Sequence, residues 1–260
     1  VITAIVHNID ITLVDYRNQY QDTKSTPVPI HQLTIHSIDD LIRRVTLSKS
    51  NIGIYSSGTT AEPKLINQSV QRLMKSVRVS DEYRHSRWGF TYNPSHSAGI
   101  QVFLQAICNK GTLFDLYKSS RSEILETLKH KKITHLSATP TFFRMLAPYD
   151  FDLPDIKSVT FNGEKSTLEL IQSIKSRCSS ARIRNIYGST ESGPLMSSES
   201  TTFKVPERLI KHIKIENEEL MIKGHLISKS VNNLDWYPTG DLVKIVNQDP
   251  LTIEFISRKT

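Results

Sequence analysis

Cysteine is scarce in this 260-residue chain, where only Cys108 and Cys178 occur. Neither sits in a CxxC pair or beside histidine-rich spacing, which speaks against a disulfide framework and against a zinc-ribbon site. Long apolar runs are missing too. No stretch approaches the roughly 20 apolar residues that a membrane-spanning helix needs. The opening Val1-Ile2-Thr3-Ala4-Ile5-Val6 lacks the basic flank and cleavage site of a secretory signal, so the expected location is cytoplasmic. There is no internal repeat and no low-complexity linker. With 38% hydrophobic residues, the chain has the apolar content of one large domain or two modest ones.

Charge is in mild excess of one sign. Lysine and arginine total 33 against 26 acidic residues, a net charge of +7. Such a balance suits an anionic partner: a nucleotide, a phosphorylated coenzyme, an acidic protein or nucleic acid. The basic residues are scattered, as at Arg43-Arg44, Lys129 to Lys132, Arg182 to Arg184 and Lys211 to Lys214, without aromatics interleaved on one face. They read as solvated helix ends, and nucleic-acid binding is not expected.

Through the middle of the chain, short β-branched runs alternate with amphipathic stretches, the pattern of a sheet with crossover helices and an α/β class. Strands are expected at Ile11 to Val14, Ile52 to Ser56, Arg87 to Tyr92, Thr112 to Leu116, Ile133 to Ser137, Ser158 to Phe161 and Ile183 to Tyr187. Helices are expected at Gln68 to Arg78, Ile100 to Asn109, Arg121 to His130, Thr141 to Leu146 and Thr167 to Arg177. Ser192 to Thr202, rich in Ser and Thr, reads as a mobile loop. From about Lys211 the pattern turns to short strands without a long helix. The expected division is an α/β core over 1–208 and a β-rich subdomain over 209–260.

Residues Tyr55-Ser56-Ser57-Gly58-Thr59-Thr60-Ala61-Glu62-Pro63-Lys64 form a hydroxyl-rich turn that ends in lysine after the apolar run Ile52-Gly53-Ile54. Hydroxyls, backbone N–H groups and a compact positive charge in such a turn can hold phosphate oxygens. A solvated Ser/Thr loop between a strand and a helix has the same composition. A Walker-type loop is excluded, because no Gly-Lys-Ser/Thr follows Gly58 at the required spacing.

Two further segments follow in order, Tyr187-Gly188-Ser189-Thr190-Glu191 and Tyr237-Pro238-Thr239-Gly240-Asp241-Leu242. Together the three resemble the adenylate-forming superfamily of acyl-CoA synthetases, nonribosomal adenylation domains and luciferases, whose phosphate loop typically reads Ser-Gly-Thr-Thr-Gly-x-Pro-Lys. The likeness covers nearly the whole chain and implies a large core of parallel-rich sheets with crossover helices plus a β-rich subdomain. Ala61 stands where the family usually has glycine, and Ser257 precedes Arg258 where the family has a Gly-Arg pair. About 50 residues precede the loop, fewer than is usual, and no lid domain with its catalytic lysine follows Arg258. The resemblance therefore implies a core that adenylates weakly by itself.

The resemblance also implies roles. Ser56, Ser57, Gly58, Thr59, Thr60 and Lys64 would cradle the β- and γ-phosphates of ATP, with Lys64, Thr190 and Glu191 as the catalytic set. Glu191 would hold Mg²⁺, Thr190 and Gly188 would lie along the α-phosphate, and Tyr187 and Asn162-Gly163-Glu164 along the adenine. Asp241 would accept from the ribose hydroxyls and Arg258 would approach the ribose from the other side. Asn93 to Ile100 resembles the Pro-x-x-His-x-x-Gly segment of acyl- and aryl-CoA ligases, which places His96 and Gly99 beside the acid substrate.

No acid lies between Phe90 and Phe114 to hold an ammonium group. That favours an unaminated carboxylic acid; Ile100, Phe103 and Leu104, at helical spacing, either face the core or, if one of them lines the pocket, wall an acid with an uncharged tail. The reaction implied is ATP-dependent formation of an acyl-adenylate, followed by transfer to coenzyme A or to the phosphopantetheine of an acidic acyl carrier protein. An amino-acid adenylation domain and a non-catalytic nucleotide-binding module are the alternatives.

Overall fold

The computed structural model describes residues 1–13, 34–55, 64–228 and 234–259. The chain opens with α1 (Ile2–Val6), β1 (Ile11–Leu13) and α2 (Ile38–Leu47). Ser37 starts α2 by accepting the Asp40 N–H at 3.1 Å, and Asp39 and Asp40 occupy the first turn with Arg44 in the last. That charge order complements the helix dipole. Then come β2 (Asn51–Tyr55), β3 (Leu65–Ser69) and α3 (Val70–Met74). β1 and β2 pair in parallel and β2 and β3 antiparallel, forming a three-stranded sheet.

This part of the chain departs from the sequence expectation of a helix over Gln68 to Arg78. Burial alternates along Leu65–Gln68, so Ile66 and Gln68 face inward while Leu65 and Asn67 face out, a period of two. Pairing with β2 satisfies that backbone, and the helix is confined to Val70–Met74. The expected phosphate loop therefore connects two strands rather than a strand and a helix. Ser56, Ser57, Gly58, Thr59 and Thr60 themselves lie outside the described residues.

The central unit runs β4 (Arg87–Phe90), α4 (Ser97–Cys108), β5 (Thr112–Asp115), α5 (Arg121–His130), β6 (His135–Ala138) and α6 (Pro140–Met145). It continues with β7 (Ser158–Phe161), α7 (Leu168–Arg177), β8 (Arg182–Ser189) and β9 (Gly193–Ser198). The six strands order as β5-β4-β6-β7-β8-β9, parallel except for the last pair. Local chemistry fixes the helix starts: Ser120 and Glu123 make a reciprocal capping box on α5, and Thr139 caps α6 with Pro140 at its first position. Leu136, Val159, Phe161 and Ile183 turn one sheet face toward Ile124, Leu128, Phe143 and Ile171 of the crossover helices. The Phe143 and Phe161 rings, both fully buried, lie 4.3 Å apart. Each such side chain contributes roughly 2–3 kcal/mol of burial.

Within Ser192 to Thr202, expected as a loop, Gly193–Ser198 is a strand. Leu195 and Met196 are buried in the second apolar core, which draws this stretch into β9 against β8. The chain ends with β10 (Thr202–Lys204), α8 (Glu207–Ile210), β11 (Ile213–Glu216), β12 (Glu219–Lys223), β13 (Trp236–Gln248) and β14 (Leu251–Arg258). These strands form an antiparallel five-stranded sheet of order β10-β14-β13-β12-β11. Both cysteines are buried and unpaired, and burial pushes the Cys108 thiol up to about 11. Among the described residues no helix is long and apolar enough to cross a membrane.

Candidate functional site

The parallel strands β4, β6, β7 and β8 all end on one edge of the central sheet, and open α/β sheets leave their ligand crevice at that edge. The segments that follow those ends are Tyr92 to His96, Thr139, Asn162 to Glu164, and Gly188 to Glu191. Two cavities lie there. The smaller, about 210 Å³, is lined by Gly163, Glu164, Tyr187, Gly188, Asp241 and Arg258 among others. The larger, about 780 Å³, takes in Asn162, Thr190, Ser97 and His96, and meets the first along Gly163, Glu164 and Gly188.

Asp241 is the polar centre of the smaller cavity. It is 5% exposed, and it faces Arg258 across the β13–β14 pair. Its Oδ2 accepts from the Tyr187 hydroxyl at 2.6 Å and its Oδ1 from Arg258 Nε at 2.8 Å. Burial and the adjacent carboxylate push the Tyr187 phenol far above its ordinary range. Burial alone would lower Arg258, but the Asp241 carboxylate, with Glu191 and Tyr187 adding to it, raises the guanidinium.

The turn that aims Asp241 depends on Gly240, whose φ of +74° lies in the left-handed region. Glu219 clamps the same turn: Oε1 accepts the Gly240 N–H at 2.8 Å and Oε2 the Lys259 ammonium at 2.7 Å. Thr239 hydroxyl donates to the Leu220 carbonyl at 2.7 Å and accepts from the Asp241 N–H at 3.0 Å, so it shapes the turn.

On the opposite wall, Gly163 takes φ +88° after β7, which lets the chain turn into Glu164. The Glu164 carboxylate accepts from the Thr141 N–H at 3.0 Å and its hydroxyl at 2.6 Å, and from Arg144 at 3.3 Å. Gly188 is required by close approach, because a Cβ there would stand 2.5 Å from the Gly193 carbonyl oxygen. The Tyr187 ring leans on Phe203 and Phe255 at 6.0 and 6.3 Å, which fixes its place in the cavity wall.

Thr190 and Glu191 are held by residues that the sequence gives no sign of. Gln68 of β3 donates to the Thr190 carbonyl at 2.5 Å, and the Thr190 hydroxyl lies 3.3 Å from that of Ser97. Arg72 of α3 donates to the carbonyls of Glu191 at 3.3 Å, Ser192 at 3.4 Å and Ile227 at 3.3 Å, and to that of Leu226. The Glu191 side chain accepts no hydrogen bond among the described residues, and its charge reaches Tyr237 and Arg258.

The remaining expected residues fall differently. Lys64 is exposed, sits at the start of β3 rather than of a helix, and lines neither cavity. His96 stands at the N-cap position of α4 without a side-chain capping bond and lines the larger cavity. Gly99 instead serves packing, since a Cβ there would lie 2.5 Å from the Asn93 carbonyl oxygen. Ile100 and Leu104 are buried against the three-stranded sheet, and neither they nor Phe103 line a cavity. Of the two readings of this stripe, Ile100 and Leu104 follow the core one, because the inward stripe of α4 faces that sheet.

A family model described as "AMP-binding enzyme" matches residues 20–222. Among curated relatives, the D-alanine–D-alanyl carrier protein ligase of Streptococcus agalactiae is 27% identical, over 75% of this chain and 48% of its own length. The 2-succinylbenzoate–CoA ligase of Staphylococcus aureus is 23% identical, over 71% of this chain and 39% of its own. The chain spans about half the length of the relatives it matches first. The AMP complex of the o-succinylbenzoate coenzyme A synthetase of Bacillus subtilis superposes with a TM-score of 0.62 at 19% identity, over 80% of this chain and 49% of that one. The same enzyme in complex with ATP and magnesium ion superposes at 0.60 and 18%, over 80% of this chain and 50% of that one. With most of its length matched by that model, the chain belongs to the AMP-binding enzyme family.

Proposed function

We propose that this chain is the nucleotide-binding core of an enzyme that uses ATP to activate a carboxylic acid as its acyl-adenylate, releasing pyrophosphate. In the whole protein the acyl group then passes to the thiol of coenzyme A or of a carrier protein's phosphopantetheine. The observation that carries this reading is the Tyr187–Asp241–Arg258 cluster, set in a cavity that opens along Gly163, Glu164 and Gly188 toward Thr190 and His96. Family membership and the ligase activities named for the relatives support it.

A carboxylate offers about four acceptor sites, and Asp241 uses one on each oxygen within the protein. One lone pair on each remains for a ribose hydroxyl, so the nucleotide adds to the cluster without dismantling it. Arg258 supplies positive charge beside the sugar. Gly163 and Gly188 keep the walls thin enough for a flat base, and Tyr187 presents an aromatic surface to it.

In the reaction, a carboxylate oxygen forms a bond to the α-phosphorus, the bond to the bridging oxygen breaks, and pyrophosphate leaves with that electron pair. Two anions must meet, so donors have to be held in advance. Thr190 is such a donor, fixed by Gln68 through its carbonyl and by Ser97 at its hydroxyl. Magnesium fits the donor set present: Glu191 is a lone carboxylate, and no group of three metal-binding side chains occurs among the described residues. The rest of the ion's shell would be phosphate oxygens and water, as magnesium prefers, and the bound ion would screen the phosphate charge. Lys64 and the hydroxyls of Ser56 to Thr60 are assigned to the departing pyrophosphate.

The larger cavity carries Gln101, Tyr92, Lys75 and Arg208, and its one carboxylate among the described residues, Glu164, bonds Thr141 and Arg144 through a single oxygen, Oε2. No acid lies between Phe90 and Phe114 to pair with a substrate ammonium, so the acid is read as unaminated. Its lining mixes polar groups with Leu73, Ala98, Leu195 and Leu226, which suits the expected acid with an uncharged tail, held by an apolar wall and a few polar contacts. Pyrophosphate exchange across aliphatic acids, aryl acids, hydroxy acids and D- and L-amino acids tests this. Exchange that depends on an unaminated acid is expected, and dependence on D-alanine would overturn the substrate assignment.

A further inference from the structure

The opposite edge of the central sheet, where the parallel strands begin, carries a second polar cleft. Lys157 precedes β7, Arg182 and Arg184 lie on β8, and His135 opens β6, while Tyr83 joins them from the 3₁₀ turn at Asp81–Tyr83. The cleft measures about 40 Å³. That holds two or three waters or one compact tetrahedral ion. It lies seven residues down β8 from Ser189, roughly 23 Å at the rise of a strand.

Three cations converge there, and the acid lining the cleft, Glu82, is exposed. The neighbouring Asp81 is paired with Arg84. Arg184 Nη2 donates to the Tyr83 hydroxyl at 3.2 Å, but Arg184 Nε is buried without a hydrogen-bond partner, as is Trp88 Nε1. An unmade bond on a buried charged donor is costly, and such donors are ordinarily satisfied. His135 is 4% exposed, with its Nδ1 engaged by the Thr134 hydroxyl and its ring 4.6 Å from that of Trp88. Burial, with Lys157 and Arg184 adding to it, lowers the imidazole to about 4. The field in the cleft is therefore positive, and the imidazole stays neutral in it.

We propose that this cleft binds a small tetrahedral oxyanion, inorganic phosphate or sulfate, held by Arg184 and Lys157 with Arg182 at the mouth. Bound there, the ion ties the Asp81–Tyr83 turn to the start of three parallel strands. It supplies the acceptor that the Arg184 guanidinium lacks. Guanidinium and ammonium donors to an oxyanion make charge-assisted bonds, so the loss of either should be felt strongly.

The test is a titration of sodium phosphate against sodium chloride at matched ionic strength. It is read by Trp88 emission in a Trp236→Phe background and by calorimetry, with His135 followed by NMR. A saturable phosphate response is expected, with the His135 titration moving upward because an anion stabilises the imidazolium. Arg184→Gln and Lys157→Gln should each weaken phosphate about tenfold or more. Lys157 is a surface residue whose replacement leaves the core intact, so the second variant keeps the test decisive if the first folds poorly. Thr190→Ala, at the other end of the strands, should leave the response unchanged. A non-saturable response, equal affinity in Lys157→Gln, or loss of the response in Thr190→Ala would each overturn the assignment.

Discussion

Replacing Tyr187 by phenylalanine removes one oxygen and little else, since the ring keeps its contacts with Phe203 and Phe255. What is lost is the 2.6 Å bond to Asp241 Oδ2, on a residue that is 5% exposed. A hydrogen bond to a charged group contributes about 1.5–3 kcal/mol, and a buried carboxylate oxygen left without its donor sits within that range. For a chain of this size a loss of about 2 kcal/mol lowers Tm by about 4–8 °C. Thermal melts at pH 7, with urea midpoints at unchanged m, measure it.

The same bond sets an alkaline limb. The folded phenol is held well above the unfolded value of 10. Above pH 10 the native state therefore keeps a proton that the unfolded state releases, and this stabilisation, present below pH 10, is lost as pH rises toward the folded value. The variant should lack that limb. AMP should also raise Tm more in Tyr187→Phe than in the parent, because a ribose hydroxyl supplies the missing donor. A Tm change below about 1 °C, or an AMP effect that shrinks in the variant, would refute the reasoning.

Three further outcomes follow from the packing. Gly188→Ala sets a Cβ 2.5 Å from a backbone carbonyl oxygen and 2.9 Å from Pro194 Cα, neither able to rotate away. It should cost about 1–3 kcal/mol in urea unfolding and weaken nucleotide binding as the wall shifts. Arg72→Met removes the side-chain donor to the carbonyls of Ser192, Leu226 and Ile227, while that of Glu191 keeps the Ser228 N–H at 2.9 Å, so a loss of about 1–3 kcal/mol is expected, with faster amide exchange in the 190–192 turn. His135 is held at about 4, below its unfolded value of 6.5, so its contribution is fully present above pH 6.5 and is lost as pH falls toward 4. That amounts to about 3 kcal/mol at most, and His135→Gln should flatten this part of the pH–stability curve.

The sequence made legible what local chemistry determines. The amphipathic stretch Arg121 to His130 is α5 residue for residue, begun by the Ser120–Glu123 capping box, and the run Ser158 to Phe161 is β7 residue for residue. Tyr187, Asp241 and Arg258 were reached through motif resemblance, and the structure brings these three into one cluster although 71 residues separate the first from the last. The errors arose where pairing partners are distant. Leu65–Ser69 reads as the lead-in to a helix until β2 pairs with it, and β9 is recruited by a core built from the last sheet. Gln68 and Arg72 escaped notice for a related reason. They act on backbone carbonyls more than 100 residues away, and backbone acceptors leave no mark in a sequence. The sequence leaves Ile100 and Leu104 open between core and pocket, because helical spacing identifies an inward face without saying what it faces.

The central claim, that Asp241 receives the ribose of an adenine nucleotide, is tested most directly by calorimetry with AMP and with 2′,3′-dideoxy-AMP. The account predicts one site that binds AMP, at least tenfold weaker binding of the dideoxy analogue, and the same loss for AMP itself in Asp241→Ala. Equal affinity for the two nucleotides, or AMP binding untouched in Asp241→Ala, would contradict it.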